Sequence, residues 1–345
     1  MWIDRRDTLK TFCVIVLVAV GLLMSGALAQ EDSSALGSLK REATALTPLV
    51  KSEIARGFLS AVPELPPIDK PRVVYVRKDP RQYFSPAQYS NLPDSAKTGL
   101  DRRELNDQFY YYTRYGTPLA FARPLDLVAQ AGLKTLDGAR VIDFGYGSIG
   151  QLRLMASQGA SVYGIEVDQL LKILYGDSGD TGPIHRATGS KATRDGNVTS
   201  LIGSFPTDTN ITSSIGTGFD VFFSKNTLKR GYIHPERPVD PKMLVHLGVD
   251  DSTFVQRVYD LLNPGGYFMI YNLHPALSKP EEPYIPWSDG RCPFDKGLVE
   301  RIGFTTLTFD TDDTEFAHTM AKAFGWDKEM DLAKDMLGTW TLFRK

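Results

Sequence analysis

Residues 141–150 read Val-Ile-Asp-Phe-Gly-Tyr-Gly-Ser-Ile-Gly, and this stretch decides how the rest of the chain is interpreted. Two apolar residues, Val141 and Ile142, end in an acid, Asp143, and glycines follow at 145, 147 and 150. Helical spacing begins directly afterwards. A strand that turns through glycines into a helix brings a nucleotide-like ligand against bare backbone N–H groups. The spacing Gly145-x-Gly147-x-x-Gly150 satisfies the dinucleotide fingerprint, but the glycines alone leave the ligand ambiguous.

Outward from this loop, apolar runs and amphipathic stretches alternate. The pattern predicts strands at about 140–143, 161–166, 198–203, 219–224, 266–271, 303–309 and 339–344. It predicts helices at about 149–158, 168–175, 252–262, 293–301 and 314–337. Repeated β-α units imply a mostly parallel sheet covered on both faces. The stretches 176–197 and 229–249 are rich in Gly, Pro, Asp and His, and read as long insertions where α/β enzymes keep binding loops.

Four neighbours of the glycine loop narrow the ligand. Asp143 stands two residues before the first glycine, where nicotinamide-binding folds usually keep an apolar or small residue. The second strand, Val162-Tyr163-Gly164-Ile165-Glu166, ends in an acid 21 residues past Gly145, a fitting distance for a carboxylate that grips ribose hydroxyls. Phe219 to Leu228 reads as a fourth strand with a polar end, and Leu261 to Ile270 as a helix end, a Pro-Gly-Gly turn and a buried strand.

In this order the motifs resemble the class I S-adenosylmethionine-dependent methyltransferases, from about Arg114 to Lys345. The resemblance implies an α/β fold: a Rossmann-like seven-stranded, mostly parallel sheet with helices on both faces and an antiparallel last strand. The cofactor it implies is S-adenosylmethionine. Asp143, Gly145 and Gly147 then shape the loop under its methionine part, backbone N–H groups near Ile149 and Gly150 face its carboxylate, and Glu166 binds the ribose. Ser204 and Phe205 border the adenine, Arg114 pairs with the carboxylate, and Asn226 lines the methyl-transfer face. Two departures stand out: Ile149 occupies a position where many members have the third glycine, and Gly203-Ser204 replaces a common Gly-Asp pair.

Methyl transfer needs a base only if the acceptor must lose a proton. His234, after the fourth strand, and His274, after the fifth, are the candidates, while His185, His246 and His318 have no case beyond a surface position. No Asn-Pro-Pro-Tyr motif follows the fourth strand, which favours a small-molecule acceptor over amino groups of nucleic acids or proteins. Two other readings stay open: a non-catalytic nucleoside-binding protein on the same fold, and an NAD-dependent oxidoreductase.

The whole chain adds context. With 42% hydrophobic and 23% charged residues and a formal net charge of −2, it suits a globular protein with a core and gives no electrostatic case for nucleic acid. Arg5, Arg6 and Lys10 precede an apolar run to Leu28, and Ala27-Leu28-Ala29 has the form of a cleavage site. Residues 1–29 therefore read as a signal for export to the periplasm or exterior, with membrane contact only through that signal. Asp4 to Lys10 also resembles a twin-arginine signal. An uncleaved anchor, or a cytoplasmic product starting at Met24, are the alternatives. Residues 30–104 read as a partly helical extension, loose to about residue 46, with a helix from Thr47-Pro48 and a short strand at Val73 to Val76. Residues 105–345 form the binding domain. Cys13 falls in the signal, so Cys292 has no intrachain partner after cleavage, and no cluster has metal-ligand spacing.

Overall fold

The computed structural model describes residues 34–345; the expected signal, residues 1–29, lies outside the described residues. The extension begins with α1 (Ala35–Leu46), whose N-terminus is capped by the Ser34 hydroxyl accepting the Gly37 N–H at 3.0 Å. This corrects the expectation of a loose leader. Ala35, Leu39 and Ala43 recur four apart and, with Leu46, bury one narrow stripe. Residues 47–49 make only a 3-10 turn, and the next helix, α2, spans Glu53–Ser60. The wholly buried Asp126 fixes its start by accepting the N–H groups of Lys51 and Ser52 at 3.0 and 2.6 Å.

A small antiparallel sheet follows. Its centre is β1 (Arg72–Arg77), which contains the expected Val73 to Val76, flanked by β2 (Gln82–Phe84) and β3 (Asp101–Leu105). Next come α3 (Asp107–Tyr112) and, after a 3-10 turn capped by Thr117, α4 (Ala122–Ala131), which stops at Gly132. The extension shares its core with the rest of the chain: Ala35, Leu39 and Phe58 belong to one apolar cluster with Tyr110, Leu125, Val141 and Met155.

The main sheet starts at β4 (Arg140–Phe144), followed by α5 (Gly150–Ala156), β5 (Ser161–Glu166) and α6 (Gln169–Leu174). Then come β6 (Gly182–Ile184), β7 (Gly196–Ile202), α7 (Thr209–Ile215) and β8 (Phe219–Lys225). The chain closes with α8 (Asp251–Leu261), β9 (Leu262–His274), α9 (Lys296–Ile302), β10 (Thr305–Asp312), α10 (Thr314–Ala323) and β11 (Leu337–Arg344). The strand order is β10-β11-β9-β8-β4-β5-β7-β6.

Every expected strand is present. β4, β5, β7, β8 and β9 run parallel, and β11 lies antiparallel to both β9 and β10. This is the Rossmann-like arrangement with a reversed last strand. An eighth strand, β6, adds an antiparallel edge on β7; its Gly-Pro-Ile sequence shows no apolar alternation. The Pro-Gly-Gly turn at 264–266 sits inside β9 as an irregularity in its pairing with β8, with Gly265 at φ +83°. One face of the sheet carries the cluster that includes the extension; the other carries an aromatic cluster of Phe144, Phe205, Phe222, Phe254, Phe268 and Phe294. No described helix is long and apolar enough to cross a membrane.

Candidate active site

β4 lies where the strand order reverses, with β5 and β7 on one side of it and β8 and β9 on the other. The C-terminal ends of such strands open a crevice, the usual ligand site of an open α/β sheet. Here it is a cavity of about 680 Å³, lined by the turns after β4, β5, β7 and β8, by residues 114–118 and by residues 242–246 of the long insertion. That volume suits a small molecule.

The glycine loop is held from three directions. Gly145 and Gly147 have φ of +78° and +60°, a region that side chains rarely adopt. A Cβ on Gly145 would run into Thr227 beyond β8, and one on Gly147 into the ring of Tyr115. Gln151 of α5 braces the loop: its Nε2 donates to Asp143 Oδ2 at 3.0 Å and to the Tyr146 carbonyl at 2.5 Å. The Ser148 hydroxyl donates to Gln151 Oε1 at 2.8 Å. Asp143 is buried, and burial pushes its carboxyl up to about 7 against the pull of Gln151 and Lys225.

Ile149 and Gly150 do not face the cavity, contrary to expectation. Both are buried; the Ile149 N–H is directed at the Tyr175 hydroxyl, and Gly150 lies against Pro118 and Tyr111, where a side chain has no room. The cavity wall runs from Asp143 to Ser148 and resumes at Gln151.

Glu166 lines the cavity from the end of β5. Its Oε1 accepts the N–H groups of Val167 at 2.8 Å and Asp168 at 3.3 Å, and the Gly147 N–H also stabilises the carboxylate. Burial outweighs these bonds and raises its carboxyl above the ordinary value. Arg114 lines the cavity as well, with its guanidinium already committed to Asp168 at 3.1 Å and to the Tyr83 hydroxyl at 3.5 Å. It thus stands on the Glu166 side. Ser204 is exposed at the rim, and Phe205 is a buried wall packed edge-on against Phe144 and Phe254.

Asn226 lines the cavity beyond β8 at φ +64°. Its N–H donates to the Tyr271 carbonyl at 3.0 Å and its Oδ1 accepts the Leu273 N–H at 2.7 Å, so it stitches the end of β8 to β9. The two expected histidine bases stand elsewhere, which is a correction. His234 Nε2 lies 2.9 Å from Asp251 in a shallow depression beside the cavity. His274 places Nε2 2.9 Å from Thr339 Oγ1 of β11 and Nδ1 2.9 Å from the Pro275 carbonyl. Both follow the expected strands, but their rings turn toward neighbouring elements.

Lys225 and Thr227, the expected neighbours of Asn226, line the cavity with it; sequence reasoning missed Lys229 and His246, which line it as well. Lys229 is buried, and its ammonium donates to the carbonyls of Leu273 at 2.6 Å and Trp287 at 3.3 Å. Burial, reinforced by the nearby Lys225 charge, pulls its amine down to about 7; burial brings Lys225 down to about 8, opposed by Asp143. Two lysines four apart, directly after an apolar strand, were the available signal. His246 reaches the site only because the insertion folds back over it.

No family model matches the chain, and no curated protein matches it. Solved structures similar to it include an S-adenosylmethionine-dependent methyltransferase from Mesorhizobium loti, with 16% identity and a TM-score of 0.37 over 64% of this chain and 98% of that one. The [4+2]-cyclase SpnF has 16% identity and a TM-score of 0.36 over 64% and 78%. Phosphoethanolamine N-methyltransferase 2 of Haemonchus contortus, in complex with S-adenosyl-L-methionine, has 15% identity and a TM-score of 0.39 over 85% and 74%. All three TM-scores lie below 0.5, so the reading of the site rests on the chain's own residues.

Proposed function

We propose that the chain is an S-adenosylmethionine-dependent methyltransferase with a small-molecule acceptor. The observation that carries this reading is Glu166, a carboxylate at the end of β5, oriented by backbone N–H groups that include Gly147 of the glycine loop and lining the cavity beside that loop. Such an acid suits the paired hydroxyls of a ribose. Asp143, Gly145 and Gly147 then underlie the methionine part, and Ser204 and Phe205 border the adenine.

When bound, S-adenosylmethionine supplies an electrophilic methyl group on a sulfonium. The chain's task is therefore alignment and exclusion of water. Tyr115 and Thr117 on one rim and Tyr232 and Trp287 on the other narrow the space in which an acceptor is oriented. An NAD-dependent oxidoreductase fits less well, because the reversed β11 between β9 and β10 departs from the all-parallel order of dinucleotide-binding sheets. A non-catalytic binder shares the cofactor expectation and differs only in turnover.

Calorimetric titration of the purified chain with S-adenosylhomocysteine and with NAD tests the reading. Saturable binding of the first and none of the second is expected; binding of NAD alone sinks it. Export through residues 1–29 is part of the same proposal, and N-terminal sequencing of the exported chain, with a start near Gln30, checks it.

A further inference from the structure

We infer that the part of the cavity beyond β4, on the β8 side, is an anion subsite whose occupant is an acceptor carrying a carboxylate or phosphate on an aromatic-sized apolar body. Naming the occupant as the acceptor rests on the methyltransferase reading; the subsite itself does not.

The sheet order divides the cavity by charge. On the β5 and β7 side the lining acid is Glu166, and Arg114 there is neutralised by Asp168. At the end of β8 the wall holds Lys225 and Lys229, the latter beside the ring of Tyr232; the insertion adds Lys242 and His246, and Trp287 lines the cavity as well. The chain as a whole has a formal net charge of −2, so this concentration of positive charge is local.

The lysines also lack a counter-charge of their own. Lys229 is 4% exposed, and its contacts are neutral: two carbonyl oxygens and, 5.7 Å away, the ring of Tyr232. An ammonium has three donors, so two bonds to carbonyls leave one N–H for the cavity. Among the described residues neither Lys225 nor Lys229 forms an ion pair. The acid whose field reaches Lys225 is Asp143, which burial drives toward its neutral form. Burial pulls both amines down as well, to about 8 for Lys225 and about 7 for Lys229, and buried charge is held in proteins when something pairs with it. A ligand anion beside Lys225 and Lys229 supplies that partner, the exposed Lys242 adds positive charge to the same cavity, and Trp287 and Tyr232 supply apolar surface for the rest of the molecule.

The test uses the full chain, with and without saturating S-adenosylhomocysteine, titrated calorimetrically with phenyl phosphate, benzoate and benzamide. Either anion should bind at least about tenfold more tightly than the neutral amide. The tighter of the two identifies phosphate or carboxylate as the preferred group. Lys229→Met should remove the preference. The exposed Lys242→Met, which places no demand on folding, should reduce it about threefold. Benzamide binding as tightly as both anions, or a preference unchanged in Lys242→Met and in Lys225→Met, overturns the subsite. Anion preference without S-adenosylhomocysteine binding overturns the methyltransferase reading alone; the converse overturns the subsite alone.

Discussion

The side-chain amide of Gln151 reaches back eight residues to hold Asp143, donating to its Oδ2 at 3.0 Å while both groups are buried. A second bond from the same nitrogen takes the Tyr146 carbonyl. The glycine loop thus keeps its shape through a residue of the following helix. Gln151→Ala leaves the buried Asp143 carboxyl without its donor and leaves the Tyr146 carbonyl with the Ser148 N–H alone, and should cost about 1–3 kcal/mol of stability, read as a lowered midpoint in urea. S-adenosylhomocysteine affinity should fall with it.

Gly145→Ala tests the close approach on the other side of the loop. The new methyl group meets Thr227, and the backbone at φ +78° strains any side chain. Loss of about 1–3 kcal/mol is expected. Adding Thr227→Ala should recover only part of it, because the backbone strain persists. Full recovery of the unfolding midpoint would show that the steric contact alone makes glycine necessary.

The first helix should be indispensable. Leu39 is wholly buried in the cluster that also contains Val141 of β4. Leu39→Ala should destabilise the entire chain by about 2–5 kcal/mol in a single transition. A separate early transition for the extension would contradict the shared core.

Glu42 of α1 accepts the Thr117 hydroxyl at 2.5 Å and the Tyr112 hydroxyl at 3.1 Å, tying the extension to the cavity rim. Burial raises its carboxyl from 4.5 to about 7, against those two bonds and the Arg41 charge. Between these values the folded chain holds a proton that the unfolded chain releases. Glu42 therefore subtracts stability progressively as pH rises from about 4.5 to 7. Unfolding midpoints near pH 5 and pH 8 should converge in Glu42→Gln relative to the unaltered chain.

The sheet was legible because its strands are continuous apolar runs beside acids or Pro-Gly turns, as at Val141 to Asp143 and at Asn263 to Gly266 ahead of the run from Tyr267. α1 was hidden because only two of its buried residues, Leu39 and Leu46, are large, and the others are Ala35, Gly37 and Ala43. β2 and β3 are short, polar edge strands defined by their pairing with β1 rather than by their own pattern. On the cavity wall, Asp143, Gly145, Gly147, Glu166 and Asn226 stand at or just past strand ends, which determine where backbone comes together. Strand ends do not determine where a long side chain turns, so the outward rings of His234 and His274 and the inward ammonium of Lys229 required the folded chain.

The most direct measurement is the S-adenosylhomocysteine affinity of Glu166→Ala, determined by calorimetry beside that of the unaltered chain. The reading of Glu166 as the ribose-binding acid predicts an intact fold and a loss of about 1–3 kcal/mol, the scale of charge-assisted hydrogen bonds. An unchanged dissociation constant in a folded variant would contradict it.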